Sequence, residues 1–327
     1  MNYRALGSVV AAAAIAFAKP VMFVAQEAGR AAEVLSASRR AIGDRKLDSL
    51  KTFSVQSQVQ RNVGGMQMNA DVEIVLDLPD AYLRTESMNG AGGMMIRGGG
   101  TTGFSGDRPL QKADAGGAPG GGMVIRMMGP GGSFSNAPTE KPTPEQQEEM
   151  NRAIVRASRA EASRLMLGWF AMAHPALNAQ YTYAGEAESP DGKAFVIDVR
   201  NADNFAARLF IDEQTHLPLM VTYKAAQPRM VQMTAGGSAA SSSTTHTSGD
   251  QRKAAEAEAA KQMQELQRQA PVMADFTIYF EDWRDVEGVK FPFKMRRAVA
   301  GDTTEEWTVG KVKVNPKVDP KRFSGDG

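Results

Sequence analysis

The sequence predicts an α+β protein in which helices cover one face of a predominantly antiparallel sheet. Three observations carry this. Apolar residues alternate with polar ones in segment after segment, the pattern of half-buried strands. Short turns rich in Gly, Asp, Asn and Pro join those segments, as antiparallel hairpins require. Only two stretches carry a convincing helical stripe, one before the strands and one among them. A single sheet stays dry on one face only if something covers it, and these two helices are what the chain offers.

The chain opens on an address. Met1 to Arg4 sets a positive residue ahead of the uncharged run Ala5–Ala18, which is too short to span a bilayer. Ala16-Phe17-Ala18 has the small-x-small form of a cleavage site, and a second cut fits after Ala25. Residues 1–25 therefore read as a signal peptide cleaved after 18 or 25, and 26–327 as one soluble, exported domain. The alternative is an uncleaved anchor or a buried N-terminal helix. No later segment could cross a membrane, and no cysteine stands at the cut to carry a lipid.

Ala31, Val34, Leu35, Ser38, Ala41 and Ile42 then recur at helical steps over Glu27–Ile42, closed by Gly43. Strands follow at Phe53–Val59, Val72–Leu78 and Tyr82–Met88, with Gly64-Gly65 and Pro79-Asp80 as turns. An insertion occupies about 89–138; sixteen of the 32 glycines fall between Asn89 and Ser133, so this run resists forming a core of its own. Thr101–Leu110, turning at Gly106-Asp107, is its best ordered piece. Thr143-Pro144-Glu145-Gln146 starts a long helix with a Thr cap, Pro at the first position and Gln three residues on. Met150, Ile154, Ala157, Leu165, Trp169 and Met172 mark its buried stripe, and Pro175 predicts its end near His174. A meander covers Gln180–Lys224, with a tight turn at Pro190-Asp191-Gly192. A Ser/Thr linker and a polar helix fill about 232–270. Strands at Phe276–Arg284, Val289–Arg297 and Thr304–Val314 close the chain.

Composition narrows the chemistry. Thirty-eight basic against 37 acidic residues give a net charge of +1, with no field to gather nucleic acid. The absence of cysteine removes disulfides, thiolate metal sites and a cysteine nucleophile. His174, His216 and His246 are scattered and make neither a zinc site nor a triad. Gly98, Gly100 and Gly103 spell GxGxxG, but no long apolar strand precedes them and no helix follows. Gly103-Phe104-Ser105-Gly106-Asp107 approaches a nucleophile elbow but has Asp107 where the second glycine belongs. Asp282, Asp285 and Glu287 sit at a hairpin tip, where solvated charge is expected. No cofactor, metal or catalytic residue is assigned. Nineteen methionines, several in the Gly-rich run, could form an adaptable apolar surface.

Two segments, Phe210–Pro218 and Phe280–Pro292, resemble parts of the LolA/LolB-like superfamily, which comprises periplasmic lipoprotein carriers and lipoprotein-sorting relatives. The order of signal peptide, helix, strands, helix, meander and closing hairpins is similar too. This resemblance implies a strongly curved antiparallel sheet, an unclosed half-barrel with helices over its concave face. It implies a periplasmic, non-catalytic carrier that holds the acyl chain of a lipid or lipidated protein in an apolar groove. The two insertions depart from that pattern, and no arginine here aligns with the carriers' functional one. Strand parity nominates Val72, Ile74, Leu76, Val196, Leu209, Val221, Phe276, Ile278, Phe291 and Phe293 as groove residues; a register slip of one would reverse a strand's faces. Two alternatives stay open, an envelope sensor or assembly factor that binds protein partners, and an exported hydrolase.

Overall fold

A computed structural model describes residues 21–63, 66–89, 99–113, 126–128, 143–189, 192–227, 229–231 and 271–324. The start of the expected signal peptide, most of the Gly/Met-rich insertion, the Ser/Thr linker and the expected polar helix lie outside the described residues.

The chain begins with α1 (Val21–Ile42) and the single turn α2 (Arg45–Asp48). Five strands follow: β1 (Thr52–Val63), β2 (Met66–Asp77), β3 (Ala81–Asn89), β4 (Gly99–Ser105) and β5 (Arg108–Ala113). After β6 (Arg126–Met128) comes α3 (Pro144–Phe170), then the meander β7 (Gln180–Ser189), β8 (Gly192–Arg200), β9 (Ala206–Asp212) and β10 (Pro218–Ala226). The chain finishes with β11 (Arg229–Val231), β12 (Met273–Val286), β13 (Val289–Val299) and β14 (Asp302–Val314).

Twelve strands form one sheet in the order β5-β4-β3-β2-β1-β14-β13-β12-β10-β9-β8-β7. Every pairing in it is antiparallel. Among the described residues β5 and β7 have no outer partner, so the sheet is unclosed. Register shifts at Gln56/Ser57, Tyr183/Gly185, Pro218/Met220 and Arg297/Ala298 break the ladders, and such bulges bend strands. The small β6–β11 pair ties a piece of the first insertion to the chain just before the second.

The sheet curves around α3. That helix approaches β3, β4 and β5 on one flank and β9, β10 and β12 on the other, without comparable approach to β2, β1, β14 and β13 between them. It lies as a chord across a concave wall. Large side chains fill the space beneath it, with Phe53 meeting Phe170 edge-on at 4.9 Å and Phe291 at 5.2 Å between ring centroids. α1 runs along β7 and reaches β13 and α3.

Local chemistry explains the helix ends. Thr143 Oγ1 accepts from the Gln146 amide while the Gln146 side chain accepts from the Thr143 amide, the capping box expected from the sequence. The far end differs from expectation: α3 stops at Phe170, because Ala171 turns left-handed and its N–H returns to the Leu167 carbonyl before Pro175 is reached. His174 instead caps a 3-10 turn, Pro175–Leu177, accepting at Nδ1 from the Ala176 amide.

The sheet is not the last element of the chain. Phe323, on a final 3-10 turn (Pro320–Phe323), covers Val75, Ala81, Leu83 and Leu110 on the outer face and makes a small second core there. A lone Phe in a polar tail gave no periodic signal for this.

Candidate functional site

Alternation fixes which side chains face α3. Opposed residues share a face, so the rows Phe53/Leu76/Tyr82/Phe104 and Val55/Ile74/Arg84 run across β1 to β4 on the concave side. On the other half the row Met295/Phe280 and the row Leu209/Val221/Ile278 do the same.

Eight of the nominated residues, Val72, Ile74, Leu76, Leu209, Val221, Phe276, Ile278 and Phe291, lie buried in the principal core, and Phe293 packs half-buried against it. Val196 is a correction. It pairs with Phe210 and Gly185 on the opposite face of β8, while Ile197 and Val199 enter the core. Parity does not identify the inward face of this strand, because Ala194, Val196, Ile197 and Val199 are all apolar and give no clean alternation.

The wall is roofed more completely than a waiting groove would be. Leu165, Met166, Leu167, Trp169 and Phe170 from α3 are at most 2% exposed and pack in the same core as the wall residues. Gly168 brings the helix backbone against the sheet, for a Cβ there would fall 1.8 Å from the Phe280 ring. Two cavities among the described residues lie elsewhere. One, about 310 Å³, adjoins Phe323 and Arg108; the other, about 710 Å³, is a polar trough over Gln56, Gln58, Glu73, Thr85 and Lys311, which the exposure and pairing of these side chains place on the outer face.

The other end of the concave face is charged, which the sequence reading did not anticipate. Arg61 donates from Nε to Glu305 at 2.8 Å and makes a two-pronged pair with Glu86. Arg84 reaches Glu86 at 3.1 Å and Glu161 of α3 at 3.5 Å, while Arg297 meets Glu161 at 2.6 Å. The Trp307 indole donates to Glu305 at 3.1 Å, and Arg84 lies over the Trp307 ring. Burial alone would raise the Glu305 pKa, but Arg297, Arg61 and Arg84 outweigh it and hold the carboxyl at about 2. Glu86 and Glu161 are held low in the same way, against burial, by Arg61 and Arg297 first among their partners. The sequence did hold a signal: Tyr82, Arg84 and Glu86 share one parity in β3, so an inward Tyr82 places both charges inward.

His174 is buried at the apolar end, edge-on to Phe104 at 5.1 Å, and burial draws its pKa down to about 4. It is neutral near pH 7. The acidic trio at the hairpin tip is spread by pairing: Asp282 binds Arg284, and Asp285 accepts from the Gly288 amide. Among the described residues no cluster of His, Cys, Asp and Glu has the makings of a metal site, and no helix is long and apolar enough to cross a membrane.

No protein-family model and no curated protein matches the sequence. In structure the chain is similar to a LolA superfamily protein from Nitrosomonas europaea, at 8% identity and a TM-score of 0.46 over 90% of this chain and 97% of that one. It is similar to a domain described as an outer membrane lipoprotein-sorting protein from Vibrio parahaemolyticus, at 8% identity and 0.42 over 91% and 97%. A DUF1329 family protein from Desulfovibrio piger matches at 8% identity and 0.38 over 90% and 97%. At 8% identity and TM-scores below 0.5 these likenesses assign this chain no family and no activity.

Proposed function

We propose that this chain is an exported, non-catalytic carrier that takes the acyl chain of a lipid or lipidated protein between the concave wall and α3. One observation carries the reading: a continuous apolar wall on an unclosed sheet is roofed chiefly by one helix whose backbone approaches the two flanks, while only its side chains fill the space over the centre.

The filled wall makes this an exchange. Withdrawing Leu165, Met166, Trp169 and Phe170 from the wall costs about 1.5–3 kcal/mol each, or roughly 6–12 kcal/mol together. A sixteen-carbon chain laid in their place recovers about 0.8 kcal/mol per methylene, on the order of 12 kcal/mol. The two nearly balance, which suits reversible capture and release by a carrier. An empty greasy groove would hold its cargo more tightly and expose itself to aggregation when unloaded.

Trp169 supplies the test, being fully buried against the wall and 5.1 Å from the Phe291 ring. Brominated fatty acid titrated into the purified chain should quench indole fluorescence saturably. Ile278→Asp and Phe291→Asp should each weaken that quenching while a folded far-UV spectrum persists. Full indole emission at saturating brominated lipid would overturn the reading.

A further inference from the structure

The charged end of the wall is out of balance. Arg61, Arg84, Arg164 and Arg297 face three carboxylates, Glu86, Glu161 and Glu305, leaving one positive charge over. Three of the guanidiniums donate hydrogen bonds to carboxylates. Arg164 does not. Its nearest carboxylate oxygen, on Glu161, is 3.9 Å away, and among the described residues no acceptor lies within hydrogen-bonding geometry. Arg297 takes Oε1 of Glu161 at 2.6 Å, the oxygen turned to Arg164 is Oε2 beyond hydrogen-bond range at 3.9 Å, and both oxygens of Glu305 are taken by Arg61 and Trp307.

Yet Arg164 is held in place. Its guanidinium carbon lies over the Tyr223 ring, 4.0 Å from the centroid, with the Phe205 centroid at 5.6 Å, and its side chain is only 15% exposed. Burial draws its pKa below the ordinary arginine range, opposed by Tyr223 and Glu161. A guanidinium whose Nε is buried without an acceptor is expensive, and proteins seldom leave one unless something else completes it. An arginine stacked on an aromatic ring presents its edge, the geometry that grips an oxyanion with two parallel hydrogen bonds.

We propose that Arg164 binds the phosphate oxyanion of an amphiphile whose acyl chain occupies the wall, an inference that rests on the carrier reading above. Position supports the pairing. Arg164 precedes Trp169 by five residues on α3, about 7.5 Å along the helix axis, so head and tail sites adjoin on one helix. The charged network gives the head a polar end, and the aromatic cluster gives the tail an apolar one.

The test titrates oleoyl lysophosphatidic acid, the neutral monoolein with the same chain, and inorganic phosphate into the full chain and into Arg164→Gln and Arg164→Lys. The phosphate-bearing lipid should bind about tenfold or more tightly than monoolein. Arg164→Gln should abolish that preference while leaving monoolein affinity unchanged, and Arg164→Lys should keep part of it. Arg164→Gln loses the contact with Tyr223 but removes an incompletely paired buried charge, so a melting curve close to the parent's is expected, and that curve, run beside the titrations, separates loss of preference from loss of fold. Equal affinity for the two lipids would overturn the oxyanion site and leave the carrier reading standing. Arg164-dependent binding of inorganic phosphate with neither lipid bound would keep the oxyanion site and overturn its lipid source. Binding of none of the three would overturn both.

Discussion

Gly168 is where the lid account can be pressed hardest. A methyl group there would meet three atoms of the Phe280 ring at 1.8, 2.1 and 2.3 Å, so either the ring or the helix must move. Phe280 is 3% exposed and packed in the core, which leaves the ring little room. Overpacking of this kind costs about 1–3 kcal/mol, while exchanging Gly for Ala inside a helix returns about 1 kcal/mol. Gly168→Ala should therefore destabilise the chain by about 0–2 kcal/mol, read as a lower midpoint in urea at unchanged slope. The strain of about 1–3 kcal/mol disappears when α3 lifts, so the same variant should bind acyl probes about 5- to 160-fold more tightly. Adding Phe280→Leu should reverse both effects. If Gly168→Ala gains the full helix-propensity increment and binds probes like the parent, the ring yields freely and the close approach of α3 is not what closes the wall.

Other outcomes follow from the same structure. Folded His174 has a pKa of about 4 against about 6.5 when unfolded, so below pH 6.5 the unfolded chain takes up a proton that the folded one refuses. Stability should fall by about 3 kcal/mol between pH 6.5 and pH 4, and His174→Asn should flatten that part of a pH-dependent urea series. Glu305 acts in a lower window: its depressed pKa stabilises the fold above about pH 4.5, and that contribution is lost as pH falls toward 2. Glu161→Gln strips a carboxylate from Arg297 and Arg84 and should cost about 3–5 kcal/mol by calorimetry. Phe323→Ala should cost about 3 kcal/mol and make the last turn a site of early proteolysis, since that ring covers the outer core.

How much of this the sequence could show depended on what each signal rested on. Strand alternation placed eight of ten wall residues in the core, because those strands carry one polar and one apolar face. It failed at Val196, where both faces of β8 are apolar and parity has nothing to distinguish them. The α3 start was legible because a capping box is local chemistry, whereas its end depended on one residue adopting a left-handed backbone. The charged half of the wall was hidden for another reason. Arg61, Glu86, Glu161 and Glu305 come from four separate elements, and only the fold joins them into one network. Likewise, apolar residues on α3 suggested a cover, but not that Trp169 and Phe170 would fill the wall they roof.

The central claim is that α3 rises from the concave wall to admit an acyl chain. The chain has no cysteine, so Arg156→Cys on the exposed side of α3 and Lys294→Cys on the outer side of β13 would be its only thiols for spin labels. Pulsed electron resonance then reads the helix-to-sheet distance directly. The account predicts a single short distance in lipid-free protein and a longer one that grows with added oleoyl lipid. One distance, unmoved while bound lipid is detected by native mass spectrometry, would show that the lipid sits elsewhere and that the wall is simply a core.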